Sequence, residues 1–306
     1  MAVVSDPHSA AGGTLSGARW LAIVNPAAGN GAGANLTRTL ARMFADVGVR
    51  LDVTRSPGPG EAARVASAAV DDGYDVILAV GGDGTANEVA NGILGSRAVL
   101  ALYPTGTGND FARNLGYPRQ RRAVPAFLAS AVPREIDAGL ANDRVFVNHV
   151  GIGIDGVVAE RARSLGHYLG PLLGYAASSL AAIVSYRPAE MRVSVDGEQR
   201  DGRYLIVIAS NGVYFGGGMK CAPNAAFDDG WLDLTLAGDL GRVAAVGSLA
   251  RLYRGTHVDG ERIHGLRARS MEIHLERALP MELDGEVSRV RSLSVGVQPL
   301  ALRVLA

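Results

Sequence analysis

The sequence predicts two domains: an α/β N-terminal domain built on a doubly wound parallel sheet, and a β-rich, antiparallel, sandwich-like C-terminal domain. Residues 20–130 alternate short apolar runs with helical patterns, which is the rhythm of βα repeats. From about Asp137 the runs instead alternate apolar and polar residues, which is typical of antiparallel strands with one solvated face. We therefore expect a ligand outside the carboxyl ends of the parallel strands, where loops collect.

The first domain has four predicted strands, each followed by glycine or proline and then by a helical pattern. These strands span residues 21–24, 49–54, 76–80 and 99–103. The second domain has two clearly alternating strands and two predicted helices. The strands span residues 191–195 and 271–275, and the helices span residues 170–186 and 239–253.

The composition excludes several classes of protein. Thirty basic and thirty acidic residues leave no net charge, so nucleic acid is not an expected partner. The single cysteine, Cys221, excludes an internal disulfide and fits the cytoplasm. The opening residues lack the apolar core of a signal peptide, so we predict a flexible tail over residues 1–18.

The longest apolar stretch, residues 171–186, is shorter than the roughly 18 to 20 residues that span a bilayer. It predicts a buried core helix, with a lipid-facing helix as the alternative. His149, near the domain boundary, is interpreted as a core or interface residue, because the histidines form no metal-binding spacing.

Lys220 is the only lysine of the chain. A Walker A phosphate loop requires a lysine after its glycines, so that class of nucleotide site is excluded. Any phosphate site must therefore rely on backbone N–H groups, arginines and a metal ion.

A glycine-rich turn follows the third predicted strand, at the start of a helical pattern. Such a turn lets the backbone approach a phosphate, and the helix N-terminus supplies free N–H groups and a positive dipole end. An ordinary tight βα loop is the alternative interpretation. The turn consists of Gly81, Gly82, Asp83, Gly84 and Thr85.

Two further polar turns follow the first and fourth strands. The first contains Asn25, Pro26 and Gly29. In the other, Thr107 and Asn109 can donate hydrogen bonds to a phosphate or nucleoside, and the following Asp110 is predicted to cap a helix. Three such turns at strand ends indicate a nucleotide site.

These motifs resemble the catalytic domain of diacylglycerol kinases and their bacterial lipid kinase relatives, a family related to sphingosine kinases. The resemblance covers nearly the whole chain from Trp20 onward. Its motifs are Asn25-Pro26 with Gly29, residues 81–85 with Asn87-Glu88, residues 106–112, 211–219 and 222–233, and Leu283-Asp284-Gly285-Glu286.

The resemblance implies that ATP lies in the cleft between the domains. A nucleotide-binding α/β domain would then span residues 19–137, with residues 290–306 returning to it, and a β-rich lipid-substrate domain would span residues 138–289. The implied nucleotide contacts are Asn25, Pro26, Gly29, Thr54, Gly81, Gly82, Asp83, Gly84, Thr85, Asn87, Glu88, Thr107 and Asn109.

Three carboxylates are the candidate catalytic groups. Asp83 could orient Mg²⁺ or the acceptor hydroxyl, and the resemblance implies that Glu286 accepts the proton with Asp284 as its partner. The triplet Asp-Gly-Glu also occurs at Asp196, where it predicts only a hairpin turn. On a regular strand, Asp284 and Glu286 would point to the same face, but a turn at Asp284 would separate their side chains.

The resemblance also implies a supporting Mg²⁺ site at Asp229, with the backbone carbonyl of Trp231. Ala226 stands where a further ligand is expected and could offer only its backbone oxygen. Arg38 is the first basic residue after the opening turn, so metal and backbone amides would carry more of the phosphate neutralisation.

The implied function is ATP- and Mg²⁺-dependent phosphorylation of a lipid hydroxyl, with diacylglycerol as the first candidate. The alternatives are a kinase for a soluble acceptor, such as NAD or a sugar phosphate, and an inactive nucleotide-sensing regulator. We expect peripheral contact with the inner membrane face, and a sheet edge in the second half could pair two copies as a homodimer.

Overall fold

A four-stranded parallel sheet forms the centre of the N-terminal domain in the computed structural model, which describes residues 15, 17–26, 33–58, 60–169 and 171–306. Most of the predicted tail lies outside these residues. The strands are β1 (Trp20–Val24), β2 (Leu51–Arg55), β3 (Val76–Gly81) and β4 (Val99–Pro104). Their spatial order is β2-β1-β3-β4. The four predicted apolar runs are thus confirmed as strands, and β1 and β3 are buried along their whole length.

Helices connect these strands. They are α1 (Gly33–Ala45), α2 (Ala62–Asp71), α3 (Asp83–Ile93), α4 (Asp110–Asn114) and α5 (Val124–Ser130). Helix α3 begins directly after β3, so its N-terminus lies at the carboxyl edge of the sheet, where the sequence places the glycine turns.

The C-terminal domain is mainly antiparallel, as predicted. Its strands are β5 (Pro133–Ala141), β6 (Arg144–Phe146), β7 (His149–Gly153), β8 (Ala189–Val195), β9 (Glu198–Gln199), β10 (Gly202–Ser210), β11 (Tyr214–Phe215), β12 (Met219–Lys220), β13 (Leu232–Gly238), β14 (Ile263–Ala268), β15 (Ser270–Leu283) and β16 (Glu286–Leu305). Its helices are α6 (Ile154–Leu169), α7 (Pro171–Ser185) and α8 (Arg242–Arg254).

Strand β16 joins the two domains. It pairs antiparallel with β15 and β5, and near its end Arg303 and Val304 pair in parallel with β4. Its register with β5 shifts between Gln298 and Leu302, and Leu300 within this irregularity has φ 50°. One hydrogen-bonded sheet therefore runs through both domains.

Helix α7 differs from the buried core helix that its sequence predicts. Ala182 and Ile183 are buried, but Leu180 is 52% exposed and Val184 is 51% exposed. Among the described apolar side chains of α7, Ala182 and Ile183 therefore pack on the domain, whereas Leu180 and Val184 face outward. Among the described residues, no helix combines the length and the apolar character that crossing a membrane requires.

Candidate active site

The glycine turns after β3 and β4 touch each other. A Cβ atom on Gly106 would lie 2.6 Å from the Cα of Gly82, and one on Gly81 would lie 2.2 Å from the Thr85 Oγ1. The Thr105 N–H donates to the Gly81 carbonyl at 2.8 Å. Only glycine allows the two turns to come this close. The N-terminus of α3 is then left open, and its backbone N–H groups can bind an anion.

The first turn is tied to the second. The Asn25 side-chain amide donates to the Thr85 Oγ1 at 2.9 Å, and the Asn25 N–H donates to the Val80 carbonyl at 3.1 Å. Pro26 follows on the surface, and Gly29 lies outside the described residues. Thr54 is half-buried and lies opposite Ile23, near the same edge of the sheet. The structure thus gathers most of the predicted phosphate contacts at this edge.

The turn after β4 presents Thr107 and Asn109. Thr107 is exposed, whereas Asn109 has a left-handed φ of 49° and its amide donates to the Gly106 carbonyl at 2.8 Å. The Asn109 Oδ1 is buried and has no hydrogen-bond partner among the described residues. It can accept a hydrogen bond from a nucleoside hydroxyl or amino group.

Asp83 and Asp110 lie on either side of the same small space. The Asp83 Oδ1 accepts the Phe111 N–H at 3.0 Å, and the Asp110 Oδ2 accepts the Gly217 N–H, from the C-terminal domain, at 2.7 Å. Burial raises the pKa of Asp83, and burial together with the charge of Asp83 raises the pKa of Asp110. Arg113 forms an ion pair with Asp110 and offsets part of this repulsion.

This pair of carboxylates fits a magnesium ion. A Cβ atom on Gly108 would lie 3.2 Å from the Asp83 Oδ2 and 3.4 Å from the Asp110 Oδ2, so both oxygens border the space that the missing side chain leaves. Mg²⁺ prefers carboxylate oxygens as ligands, so Asp83 and Asp110 are the residues that could hold it beside the phosphate turn.

The predicted supporting site at Asp229 does not fit a magnesium ion in the same way. Its carboxylate accepts the Trp231 N–H at 3.0 Å and forms an ion pair with Arg267, whose guanidinium also lies 5.6 Å from the centre of the Trp231 ring. Ala226 offers no side-chain ligand. The arrangement favours an arginine as the partner of Asp229.

Asn87 and Glu88 make scaffold contacts instead of facing the glycine turns. The Glu88 carboxylate accepts the N–H groups of Gly60 at 3.1 Å and Ala62 at 2.8 Å, and so fixes the start of α2. The buried Asn87 amide donates to the Val145 carbonyl at 2.7 Å and to the Asp284 Oδ2 at 2.9 Å. Asn87 therefore joins the two domains, and a nucleotide contact for either residue stays a prediction.

Asp284 begins a two-residue hairpin turn between the paired residues Leu283 and Glu286. Its side chain is buried, and besides Asn87 it accepts three backbone N–H groups, those of residues 147, 148 and 149, at 2.6–3.1 Å. Burial raises the pKa of Asp284 to about 6, although the charge of His149 and these N–H groups oppose the rise. Because four donors use its lone pairs, Asp284 is placed to position the turn.

Glu286 lies at the other end of this turn and is partly exposed. Its Oε2 accepts a hydrogen bond from the Arg144 guanidinium at 2.7 Å. A Cβ atom on Gly84 would lie 4.0 Å from the Asp284 carbonyl, so the turn carrying Glu286 sits beside the start of α3. Sequence analysis did not identify Arg144, because nothing local to residue 144 indicates a partner 142 residues away.

Two family models match the chain. Residues 19–141 match the diacylglycerol kinase catalytic domain, and residues 148–306 match the YegS C-terminal NAD kinase beta sandwich-like domain. A diacylglycerol kinase of Bacillus subtilis is 30% identical, over 86% of this chain and 88% of that protein. A Pseudomonas aeruginosa protein named "Probable lipid kinase YegS-like" is 33% identical, over 90% of this chain and 91% of its own.

The chain belongs to the family of diacylglycerol kinases and YegS-like lipid kinases. A crystal structure of a Bacillus anthracis protein described as a "putative diacylglycerol kinase" superposes with a TM-score of 0.77 at 26% identity, over 94% of this chain and 97% of that one. The family and fold class expected from the motifs are thereby confirmed, and the protein is a lipid kinase.

The C-terminal domain of this lipid kinase contains an apolar cavity. Its volume is about 120 Å³, and it is open to solvent on one side. Apolar side chains from α6, α7, α8 and strands β10 to β14 form most of its wall, and Asp155, at the start of α6, is its acidic group. Phe215 also lines it, and the Phe215 ring centre lies 5.2 Å from that of His149.

A buried polar cluster separates this cavity from Asp284. The His149 Nε2 lies 2.5 Å from the Glu282 Oε2 and 3.8 Å from the Asp155 Oδ2. His149 is buried, as its sequence context predicts. Sequence analysis missed Glu282 and Asp155; the available signal was an acidic residue in the otherwise apolar end of β15.

Proposed function

We propose that this lipid kinase transfers the γ-phosphate of ATP, with Mg²⁺, to a lipid hydroxyl, and that diacylglycerol is the first acceptor to test. The observation that carries this proposal is the apolar cavity, whose wall includes Asp155, a member of the polar cluster that lies next to Asp284. The apolar lining of this cavity suits an acyl chain, which gains about 0.8 kcal/mol for each buried CH₂ group.

The donor side supports ATP. Phosphates would lie against the N-terminus of α3, where the contact between Gly82 and Gly106 opens the backbone, and Asn109 would accept a hydrogen bond from the nucleoside. Magnesium, held by Asp83 and Asp110, would neutralise phosphate charge.

The acceptor side supplies a proton acceptor. Glu286 is the carboxylate of the late turn that remains accessible, so it would take the proton of the lipid hydroxyl as the phosphorus–oxygen bond forms and ADP leaves. Asp284 would position this turn through its four buried hydrogen bonds.

Exposed apolar side chains on the outer surface of the cavity wall support the entry of a lipid from a membrane. Helices α7 and α8 line the cavity on one side and expose Leu180, Val184, Val243 and Val246 on the other. Exposed apolar side chains on helices that line an apolar cavity would favour contact with a bilayer surface, so peripheral membrane contact is part of this proposal.

In the test, the purified protein is incubated with γ-labelled ATP and Mg²⁺, first with vesicles that contain diacylglycerol and separately with NAD and with a sugar phosphate. Label is expected in the lipid extract and is expected to disappear with EDTA. If label appears only in NAD or the sugar phosphate, the acceptor is a soluble molecule and not a lipid. If no label is transferred at all, the result favours a nucleotide sensor.

Filling the cavity tests its role. Ala245 on α8 is buried against the cavity, whereas Ala250 on the same helix is exposed. Ala245→Phe is expected to lower kcat/KM for the lipid by about tenfold or more while ATP binding is retained. Ala250→Phe is the matched control, and equal effects of the two variants would remove the cavity from the proposal.

A further inference from the structure

A second cavity of the C-terminal domain lies where α6 and the end of α7 meet strands β15 and β16. Its volume is about 380 Å³, and it is open to solvent. Among the described residues that line it, four are arginines and one, Glu160, is acidic. The whole chain has equal numbers of basic and acidic residues, so this excess of positive charge is local. The arginines are Arg161, Arg187, Arg277 and Arg289.

Most of this positive charge has no partner. Arg187 and Arg277 form no ion pair with a carboxylate among the described residues. Arg289 faces Glu160, but their charged groups are 3.8 Å apart and both side chains are about half exposed, so this ion pair is weak. Glu160 and the partial negative end of α7, about half a charge, together offset less than half of the four positive charges.

Hydrogen-bond donors of the cavity are also unused. The hydroxyl of Tyr186, directly after α7, is buried and has no hydrogen-bond partner among the described residues. Burial raises the pKa of Tyr186 and the nearby Arg277 charge opposes part of the rise, so the hydroxyl stays protonated and can donate. Arg161 donates to the Ser185 Oγ at 2.9 Å and has further N–H groups for a ligand. A buried hydroxyl without a partner is costly, which points to a ligand that accepts from it.

We propose that this cavity binds the phosphate group of an anionic ligand, with Arg187 and Arg277 as its counter-charges and the Tyr186 hydroxyl as a neutral donor. A phosphate group offers three strong acceptor oxygens and up to two negative charges, which matches several donors better than a single carboxylate does. Leu279 and Pro280 form an apolar wall, and exclusion of water by such a wall strengthens the attraction between the charges.

The cavity is separate from the proposed reaction site. The pair Pro280–Arg289 at the cavity is three residue pairs, about 10 Å, along the hairpin from the pair Leu283–Glu286. A phospholipid head group and a free phosphate compound share the chemistry that this cavity would recognise. A head group has one further point in its favour, because the exposed Val184 directly precedes Ser185 at the cavity and would lie beside the acyl chains.

Calorimetry tests the site with inorganic phosphate, in excess ADP so that phosphate does not compete for the glycine turns. Arg277→Gln is expected to weaken phosphate binding about tenfold or more, because it removes a charged hydrogen-bond donor. Tyr186→Phe retains the ring and is expected to weaken binding about threefold to tenfold. Arg262→Gln is the matched control, since Arg262 is an exposed arginine before β14, on the far edge of the sheet. Circular dichroism checks that each variant is folded.

Vesicle sedimentation distinguishes the two sources of phosphate. Vesicles of phosphatidylcholine are compared with vesicles that also contain phosphatidic acid. If the ligand is a head group, the wild type is expected to prefer the vesicles with phosphatidic acid, and Arg277→Gln is expected to lose most of this preference. If the ligand is a free phosphate compound, inorganic phosphate still binds, but the wild type and Arg277→Gln sediment equally with both kinds of vesicle.

Three results would overturn the inference. The first is a wild type that binds neither inorganic phosphate nor vesicles with phosphatidic acid. The second is a folded Arg277→Gln variant that binds both as the wild type does. The third is an equal loss of binding in Arg262→Gln, which would indicate general charge attraction and no site. None of these measurements depends on phosphate transfer, so their outcome is distinct from that of the proposed function.

Discussion

Two hairpins of the C-terminal domain carry the same triplet, Asp-Gly-Glu, and fold the same way. In the first, Asp196 has φ 47° and Gly197 has φ 89°; in the second, Asp284 has φ 44° and Gly285 has φ 92°. Each is a two-residue turn between paired strand residues, which is the geometry that Asp-Gly favours.

Their surroundings differ. Asp196 is exposed and accepts hydrogen bonds from the neighbouring N–H groups of Arg269 and Ser270. Asp284 is 1% exposed and holds a side chain of the other domain, that of Asn87. The same local sequence therefore makes an ordinary turn in one place and an interdomain clamp in the other, and only tertiary contacts distinguish them.

The largest expected difference between the hairpins is in turnover. Glu286→Gln is expected to lower kcat by about 10²–10⁴, because the amide cannot accept the hydroxyl proton, while ATP binding is retained. Glu198→Gln, in the exposed hairpin, is expected to leave kcat unchanged. Lipid phosphorylation and ATP calorimetry measure both; wild-type turnover in Glu286→Gln would remove it as the proton acceptor.

Stability is expected to differ next. Asp284→Asn presents an NH₂ group to N–H donors inside the protein, so the free energy of unfolding is expected to fall by about 2–4 kcal/mol. Asp196→Asn is solvated and is expected to cost less than about 1 kcal/mol. Urea denaturation gives both values, and equal losses would show that Asp284 is no clamp.

The buried hairpin should also make stability depend on pH. The ordinary aspartate pKa is 3.8 and that of Asp284 is about 6, so as pH rises the unfolded chain releases this proton first. The stabilisation from this group is complete below the ordinary pKa and is lost as pH rises through about 6, on the order of 1–3 kcal/mol. The free energy of unfolding is measured against pH for the wild type and for Asp284→Asn, and the difference between the two curves isolates the contribution of Asp284. A difference that does not change with pH would contradict the raised pKa of Asp284.

The smallest expected effect is common to both hairpins. Gly197 and Gly285 both have positive φ, and the space that a Cβ atom would occupy is open at each, so alanine at either is expected to cost about 1 kcal/mol through backbone strain alone. Thermal unfolding should show matching losses, while lipid phosphorylation should fall only in Gly285→Ala. A much larger loss of stability at Gly285 would reveal a contact that the folded structure does not show.

The parallel sheet, its glycine turns and both Asp-Gly hairpins were predictable because each is encoded locally. Apolar runs, helix starts and residues with positive φ depend on neighbours within a few positions. The close approach of Gly82 to Gly106 follows from two such turns at adjacent strand ends.

The polar contacts of the site were not predictable in this way. Asn87 and Asp284 are 197 residues apart, and no periodicity links them. The same holds for His149 with Glu282 and for Arg267 with Asp229. These pairs form because folding removes their groups from solvent, and a buried charge needs a partner that only the tertiary structure supplies.

Strand β16 begins at Glu286, crosses the C-terminal domain and ends hydrogen-bonded to β4 of the nucleotide-binding sheet. The two domains are therefore connected by a paired β-strand and not by a flexible linker. Near Leu300 the strand departs from regular pairing, and there the buried Asp137 accepts the Leu300 N–H at 2.8 Å. The Asp137 carboxylate therefore holds the strand at the point where its pairing with β5 is interrupted.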